Sequence, residues 1–290
     1  MHESIEARIH RVRHDSPLGR WRMAVCAPPP DLADIVEMAW LGEGSVSYQR
    51  DRILPSGSSQ LLINLGPPQY LVGDAAGGGR RTFADIWYSA PQQRPLDTEA
   101  PHGQRLLGVA FRPYGGRSWL GIDGDALADR VLGLDELLGD TTTRLRERLL
   151  ACDDDRACFA VVEDWLRRRR QPAREAPAAL RWSLARIAGS RGQVAIDSLH
   201  RELGCSRAHL ATLFRRHVGL GAKALARLHR FHDALALLRR QQRVPWAELA
   251  DLCGYYDQSH LIRDFQAFSG MAPGEFVRLA QPDARSVVLR

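Results

Sequence analysis

Arg263 and Gln266 stand three positions apart in "DQSHLIRDFQAFSG", and each carries a side chain that can make a two-point hydrogen-bond match to a base edge. Arginine suits guanine O6 and N7; glutamine suits adenine N6 and N7. Both fall on the side of a 3.6-period segment opposite Leu261, Phe265 and Phe268, together with Ser259 and flanked by Gln258 and Ile262. An earlier stretch, "SRAHLATLFRRHVG", repeats the arrangement with Ala208, Ala211, Thr212 and Arg215 opposite Leu210, Leu213 and Phe214. Small residues there suit a helix lying deep in a groove, where alanine and threonine methyls can meet a thymine methyl. Arg207, Arg216, Arg227, Arg230 and His260 can reach phosphates, which position a protein without reading sequence. The plain competing reading is that an arginine on a free helix face is simply solvated.

The elements that must position these residues are short helices with marked ends. Asp257 sits where an N-cap belongs, and Gly270 with Pro273 sits where a helix should stop. Ser206 is the corresponding cap of the first stretch, with Ser259 read as its equivalent in the second. Each capped helix follows another short helix across a turn, at Gly204 and at Gly254, and "AKALARLHRFHDALALLRR" reads as one long helix between the two pairs. Helix, glycine turn and second helix form the helix-turn-helix arrangement, whose second helix enters the major groove. Two such pairs in one chain are an internal duplication.

Charge supports a polyanionic partner, double-stranded DNA. The chain of 290 residues has a formal net charge of +6, and from residue 175 onward 17 basic residues face 10 acidic ones. The first 174 residues hold 23 basic and 24 acidic residues, so the excess lies in the C-terminal part. At 44% hydrophobic and 26% charged the composition is that of a globular protein long enough for two cores. No apolar run approaches a membrane span, and the polar opening has no signal-peptide core, so a cytoplasmic protein without a membrane partner is expected. Cys26, Cys152, Cys158, Cys205 and Cys253 are scattered with no C-x-x-C pair, which points to reduced thiols; neither a metal nor another cofactor is expected.

The first 115 residues read as short strands punctuated by glycine and proline, as in "SVSYQRDRILPSGSSQLLINL" and "RLLGVAFRPYGG". Thr141–Thr143 and Asp153–Asp155 are read as caps of two helices forming a hairpin, a candidate dimer contact or a layer on the β domain. "RRRRQPAREAP" reads as a linker, its arginines a solvated helix end. The expected fold class is α+β. A β-rich sensing or dimerisation domain spans 1–137, a helical hairpin and linker 138–177, an all-α double helix-turn-helix domain 178–280 and a tail 281–290.

Residues 178–280 resemble the DNA-binding domain of the AraC/XylS family of bacterial transcription regulators. The resemblance is carried by "LGCSRAHLATLFRRHVG", "RFHDALALLR" and above all "GYYDQSHLIRDFQAFSGMAPGEF". It implies two motifs on a rigid connecting helix, reading adjacent major grooves. Departures are His200 where the family usually has alanine, Leu261 for an aromatic and Gln266 for a basic residue. "RILPSGSSQLLINL" and "LLGVAFRPYGGRSWLGI" resemble a cupin-like sensing domain, which implies a small-molecule effector of unknown identity. The histidines His2, His10, His14 and His102 do not cluster as a metal-binding cupin would require, and Trp21, Trp40, Tyr48, Trp87 and Arg112 are pocket or core residues. The function implied is a regulator rather than an enzyme, with a homodimer and, for an activator, RNA polymerase as further partners. Two alternatives are an alkylation-repair type of enzyme, which would need a zinc or reactive-cysteine cluster, and an architectural DNA coater of low specificity.

Overall fold

Alternation builds the N-terminal half: in "QLLIN" Leu61 and Ile63 are fully buried while Leu62 points the other way. The computed structural model describes residues 4–72, 79–99, 103–170, 175–240, 245–279, 281–283 and 285–289, and its strands form two antiparallel sheets. The strands are β1 (Ile9–Ser16), β2 (Gly19–Cys26), β3 (Val36–Val46), β4 (Arg50–Ile53), β5 (Gln60–Asn64) and β6 (Gln69–Val72). They continue with β7 (Arg81–Phe83), β8 (Ile86–Ser89), β9 (Leu96–Glu99), β10 (Gly103–Phe111), β11 (Val131–Gly133) and β12 (Ser286–Leu289). The seven-stranded sheet runs β1-β2-β3-β10-β5-β8-β11 and the five-stranded sheet β12-β4-β9-β6-β7. Leu71, Phe83 and Leu96 of the second sheet meet Leu62, Trp87, Leu106 and Val131 of the first, so the sheets pack face to face.

Five helices cover this β domain: α1 (Gly115–Leu120), α2 (Gly124–Leu127), α3 (Leu134–Leu138), α4 (Thr143–Leu150) and α5 (Asp155–Arg169). α4 and α5 form the expected hairpin, and their apolar faces are committed to the β domain. Leu145, Leu149, Phe159, Val162 and Leu166 lie in its core, and Trp165 packs on Trp119 at 5.1 Å. Of the two expected roles for the hairpin, a layer on the β domain is therefore the one its buried residues fill, with Leu150 left 44% exposed. Asp154 caps α5 by accepting from Ala157 N at 2.7 Å. The threonine cap differs from expectation: a 3₁₀ turn over Gly139–Thr142 leads into α4 with no hydroxyl cap, the Thr142 hydroxyl instead donating to Gly139 O at 3.4 Å. The arginine run is likewise not simply solvated. Arg167 pairs with Asp31 at 2.6 Å and Arg170 with Asp34 at 2.6 Å, fastening the end of α5 to the loop before β3. Residues 171–174 of the expected linker lie outside the described residues.

The C-terminal domain is helical: α6 (Ala178–Gly189), α7 (Ile196–Glu202), α8 (Arg207–Val218), α9 (Ala222–Arg240), α10 (Trp246–Leu252), α11 (Gln258–Ser269) and α12 (Pro273–Phe276). Phe214, Phe231, Phe265 and Phe276 are fully buried at its centre, with Phe231 edge-on to Phe265 at 5.1 Å. The fold is thus α+β, a β-rich domain followed by a double helix-turn-helix.

The two domains are joined by more than the chain between them. The tail returns as β12 to pair with β4, and Val287, fully buried, joins the helical core together with Leu54. Arg52 on β4 donates to Ser269 O at 3.0 Å, and His232 on α9 bonds Pro55 O at 2.8 Å. Gly124 of α2 lies against Gly219 backbone to backbone, so closely that a Cβ on either would overlap the other.

Candidate nucleic-acid interface

Each motif is built by the same local chemistry. Gly204 and Gly254 turn the chain at φ of +63° and +70°, which side chains disfavour. The residue after each glycine then bonds back into the preceding helix, Cys205 N to His200 O at 3.0 Å and Tyr255 N to Ala250 O at 2.8 Å. Ser206 accepts from His209 N at 3.1 Å, and Asp257 from His260 N at 2.7 Å, which starts α8 and α11. α8 ends at Gly219 and α11 at Gly270.

These caps correct the register of the duplication. The counterpart of Ser206 is Asp257, and Ser259 corresponds to Ala208. The second turn is longer by Tyr256, which has no equivalent in the first and stands 93% exposed. Counted from the caps, the reading sets match position for position: Ala208 with Ser259, Ala211 with Ile262, Thr212 with Arg263, Arg215 with Gln266.

The structure turns these residues outward. Ala208, Ala211, Thr212 and Arg215 are exposed on α8, as are Gln258, Ser259, Arg263 and Gln266 on α11; Ile262 is half-buried. Beneath them Leu210 and Phe214, and Leu261, Phe265 and Phe268, are buried, whereas Leu213 is only partly so. Arg215 and Arg263 have no carboxylate partner among the described residues; Arg263 Nε donates only to Ser259 O, at 3.3 Å along its own helix. Unneutralised guanidinium groups on two free helix faces can meet base edges or phosphates.

The five phosphate candidates divide. Arg207 is exposed, at 3.3 Å from Asp197, and its Nε donates to His200 Nε2 at 3.2 Å. His200, half-buried, accepts that bond, and Leu199 beside it is fully buried in the helical core. Arg216 is exposed but paired with Asp123 of the N-terminal domain at 3.0 Å. Arg227 and Arg230 already hold partners within the protein. Arg227 is half-buried and bonds Asp264 at 2.7 Å, a carboxylate only 2% exposed that needs a cation beside it. Arg230 donates to Gly192 O at 2.9 Å and lies over the Tyr255 ring at 5.4 Å. Both brace α9 against its neighbours. His260 is half-buried, edge-on to Tyr255 at 5.2 Å.

Two residues were missed by sequence reasoning. Tyr256 stands at the entrance to α11, and its signal was the second aromatic of "GYY", since one tyrosine fills the core. Asp123 left no local signal.

Among the described residues no group of three or more histidine, cysteine or acidic side chains could hold a metal ion; His2 and His102 lie outside them. The five cysteines are free, and burial pushes Cys26 up to about 11 and Cys158 and Cys253 up to about 12, so these three are neutral thiols rather than nucleophiles. Among the described residues no helix is long and apolar enough to cross a membrane.

Two helix-turn-helix pairs mounted on one connecting helix form the arrangement of a DNA-binding module. Residues 199–279 match a family described as a helix-turn-helix domain, which is of the AraC type, and residues 24–133 match a domain of unknown function (DUF6597). The C-terminal part is therefore an AraC-type DNA-binding domain. No curated protein matches the chain. Among solved structures, ToxT from Vibrio cholerae aligns at 10% identity over 80% of this chain and 97% of that one, with a TM-score of 0.43. ToxT of the same organism bound to an unsaturated fatty acid gives 10% identity over 79% and 91%, with a TM-score of 0.44. The C-terminal domain of AraT, a response regulator from Geobacillus stearothermophilus, gives 20% identity over 37% and 93%, with a TM-score of 0.33.

Proposed function

We propose that the chain is a sequence-specific transcription regulator that reads two adjacent major grooves, with α8 in one and α11 in the next. The observation that carries this is the one-to-one match of outward residues on the two capped helices. Arg215 is open on the first and Arg263 on the second, in the part of the chain that holds the basic excess. Ala208, Ala211, Thr212 and Arg215 read one half-site; Gln258, Ser259, Ile262, Arg263 and Gln266 read the other. Arg207 and His260 contact backbone phosphates, as Arg216 does once released from Asp123. The N-terminal domain alters how the reader is presented, in response to a small-molecule effector or to pairing with a second copy. Such control requires that the effector favour one arrangement of the domains over another. A place in the cytoplasm follows from the DNA partner.

Selecting bound duplexes from a random pool with the full chain tests the reading. Two conserved half-sites are expected, the Arg263 half containing a guanine that an Arg263→Ala variant no longer selects. A pool that stayed random while binding was measurable would make the protein a non-specific coater.

A further inference from the structure

Between the domains lies a cleft of about 580 Å³, within the ~300–1,000 Å³ typical of small-molecule sites. Its walls come from separate stretches: the loop before β3, the exit of β10, helices α6 and α9, and the tail before β12. Leu184 and Leu225, both largely buried, give it an apolar floor.

Three arginines from these stretches converge on it, Arg112, Arg181 and Arg285. Among the described residues none of the three has an ion pair, and Arg112 uses only its Nε, to Ala33 O at 2.6 Å. The Tyr114 hydroxyl, pushed up by burial, feels the charges of Arg112, Asp34 and Arg181. Arg285 and His232 line the same cleft. Two carboxylates also line the space. They are Glu37 and Asp34, the latter already paired with Arg170 at 2.6 Å, so the three cleft arginines outnumber the carboxylates that face them.

Like charges gathered in a concave site with a low-dielectric floor focus a positive potential. The guanidinium fork matches carboxylate and phosphate oxygens in pairs. We propose that this interdomain cleft binds a compact organic anion carrying at least two negative charges as carboxylate or phosphate, with its carbon body on Leu184 and Leu225. The site names the ligand class of the effector reading above and rests on it. Because Arg112 belongs to one domain and Arg181 to the other, an occupant adds contacts only while the domains stay docked, and it therefore stabilises the docked arrangement.

Citrate at constant ionic strength is the probe, with the full chain followed by calorimetry and by its unfolding midpoint. Saturable binding and a rising midpoint are expected. Arg181→Glu, at an exposed position of α6 that cannot disturb the core, should weaken binding at least tenfold, and Arg285→Ala should weaken it as well. Arg144→Ala, an exposed arginine outside the cleft, should match the wild type. The absence of saturable binding, or an equal response in wild type and Arg181→Glu, overturns the proposal. So does an Arg181→Glu variant that loses affinity for scrambled duplex yet binds citrate normally, because the arginine would then be a backbone anchor. If citrate binds as described but leaves DNA affinity unchanged, the anion site stands and the effector reading fails.

Discussion

Asp123, at the entrance to α2, holds an arginine from each domain: its Oδ1 lies 2.8 Å from Arg117 Nε and its Oδ2 lies 3.0 Å from Arg216 Nε. The hydrogen bonds from Arg117 and then Arg216 keep the carboxyl below its usual range, so it is ionised at neutral pH. The guanidinium proposed to meet a phosphate is thus neutralised from within the molecule. Asp123→Asn should free Arg216, raising affinity severalfold on preferred and scrambled duplexes alike and steepening the log–log salt slope by about 0.9. Adding Arg216→Ala should cancel both effects. An unchanged slope in Asp123→Asn, measured by titration at several salt concentrations, would show that Arg216 never reaches DNA.

Asp264 and Arg227 make the opposite kind of pair. Removing Arg227 leaves a carboxylate 2% exposed without its cation, a loss of roughly 3 kcal/mol in stability for a broken buried pair. Arg227→Ala should therefore lower the unfolding midpoint of the C-terminal domain, and Asp264→Leu in the same chain should restore much of it. A pure phosphate ligand would behave differently: the midpoint would hold and only DNA affinity would fall. Denaturant melts with and without DNA separate the two cases.

The contrast explains what was legible in the sequence. Caps, glycine turns and 3.6-residue periodicity are local, so α8 and α11 and their outward faces could be read before any coordinates. The pairing of Arg227 was not legible, because Asp264 lies 37 residues further along the chain on another helix and leaves no mark on the periodicity of α9. Asp257 was legible as the second cap, but Ser259, matched to Ser206 by residue type, lies two residues beyond the true counterpart. The Asp123–Arg216 contact and the return of the tail as β12 join residues far apart in sequence. No local rule reaches them.

The tail clasp should be sensitive to pH. Asp51 on β4 is paired in register with Val288 of β12 and accepts a hydrogen bond from the Thr98 hydroxyl. Burial pushes its carboxyl up to about 6, with the charge of Asp283 adding to the effect. Between its ordinary value near 3.8 and that raised value the folded chain binds the proton more firmly than the unfolded chain. Stability therefore declines as pH rises through this window and stays reduced above it. The full penalty is at most about 3 kcal/mol. Asp51→Asn keeps an acceptor for Thr98 and removes the charge. It should raise the unfolding midpoint at pH 8 and leave it nearly unchanged at pH 4, and an equal change at both would remove Asp51 as the cause.

Spacing gives the sharpest test of the reader. α9, with 19 residues, is about 28 Å long at 1.5 Å per residue, and it is braced at Asp264 by Arg227 and at Gly192 by Arg230. A braced helix of that length is long enough to hold α8 and α11 apart by the one turn of DNA that the proposed reading requires, roughly 34 Å or ~10 base pairs. Arg263→Ala should lose about 1–3 kcal/mol on the preferred site and little on scrambled DNA. Inserting ~5 base pairs between the half-sites turns one of them to the opposite face of the duplex, where the rigid reader cannot follow. Affinity on that DNA should fall to the non-specific level, and Arg263→Ala should then have almost no further effect. If the inserted site still bound well and still depended on Arg263, the motifs would be moving independently, and the braces at Arg227 and Arg230 would not be setting the spacing.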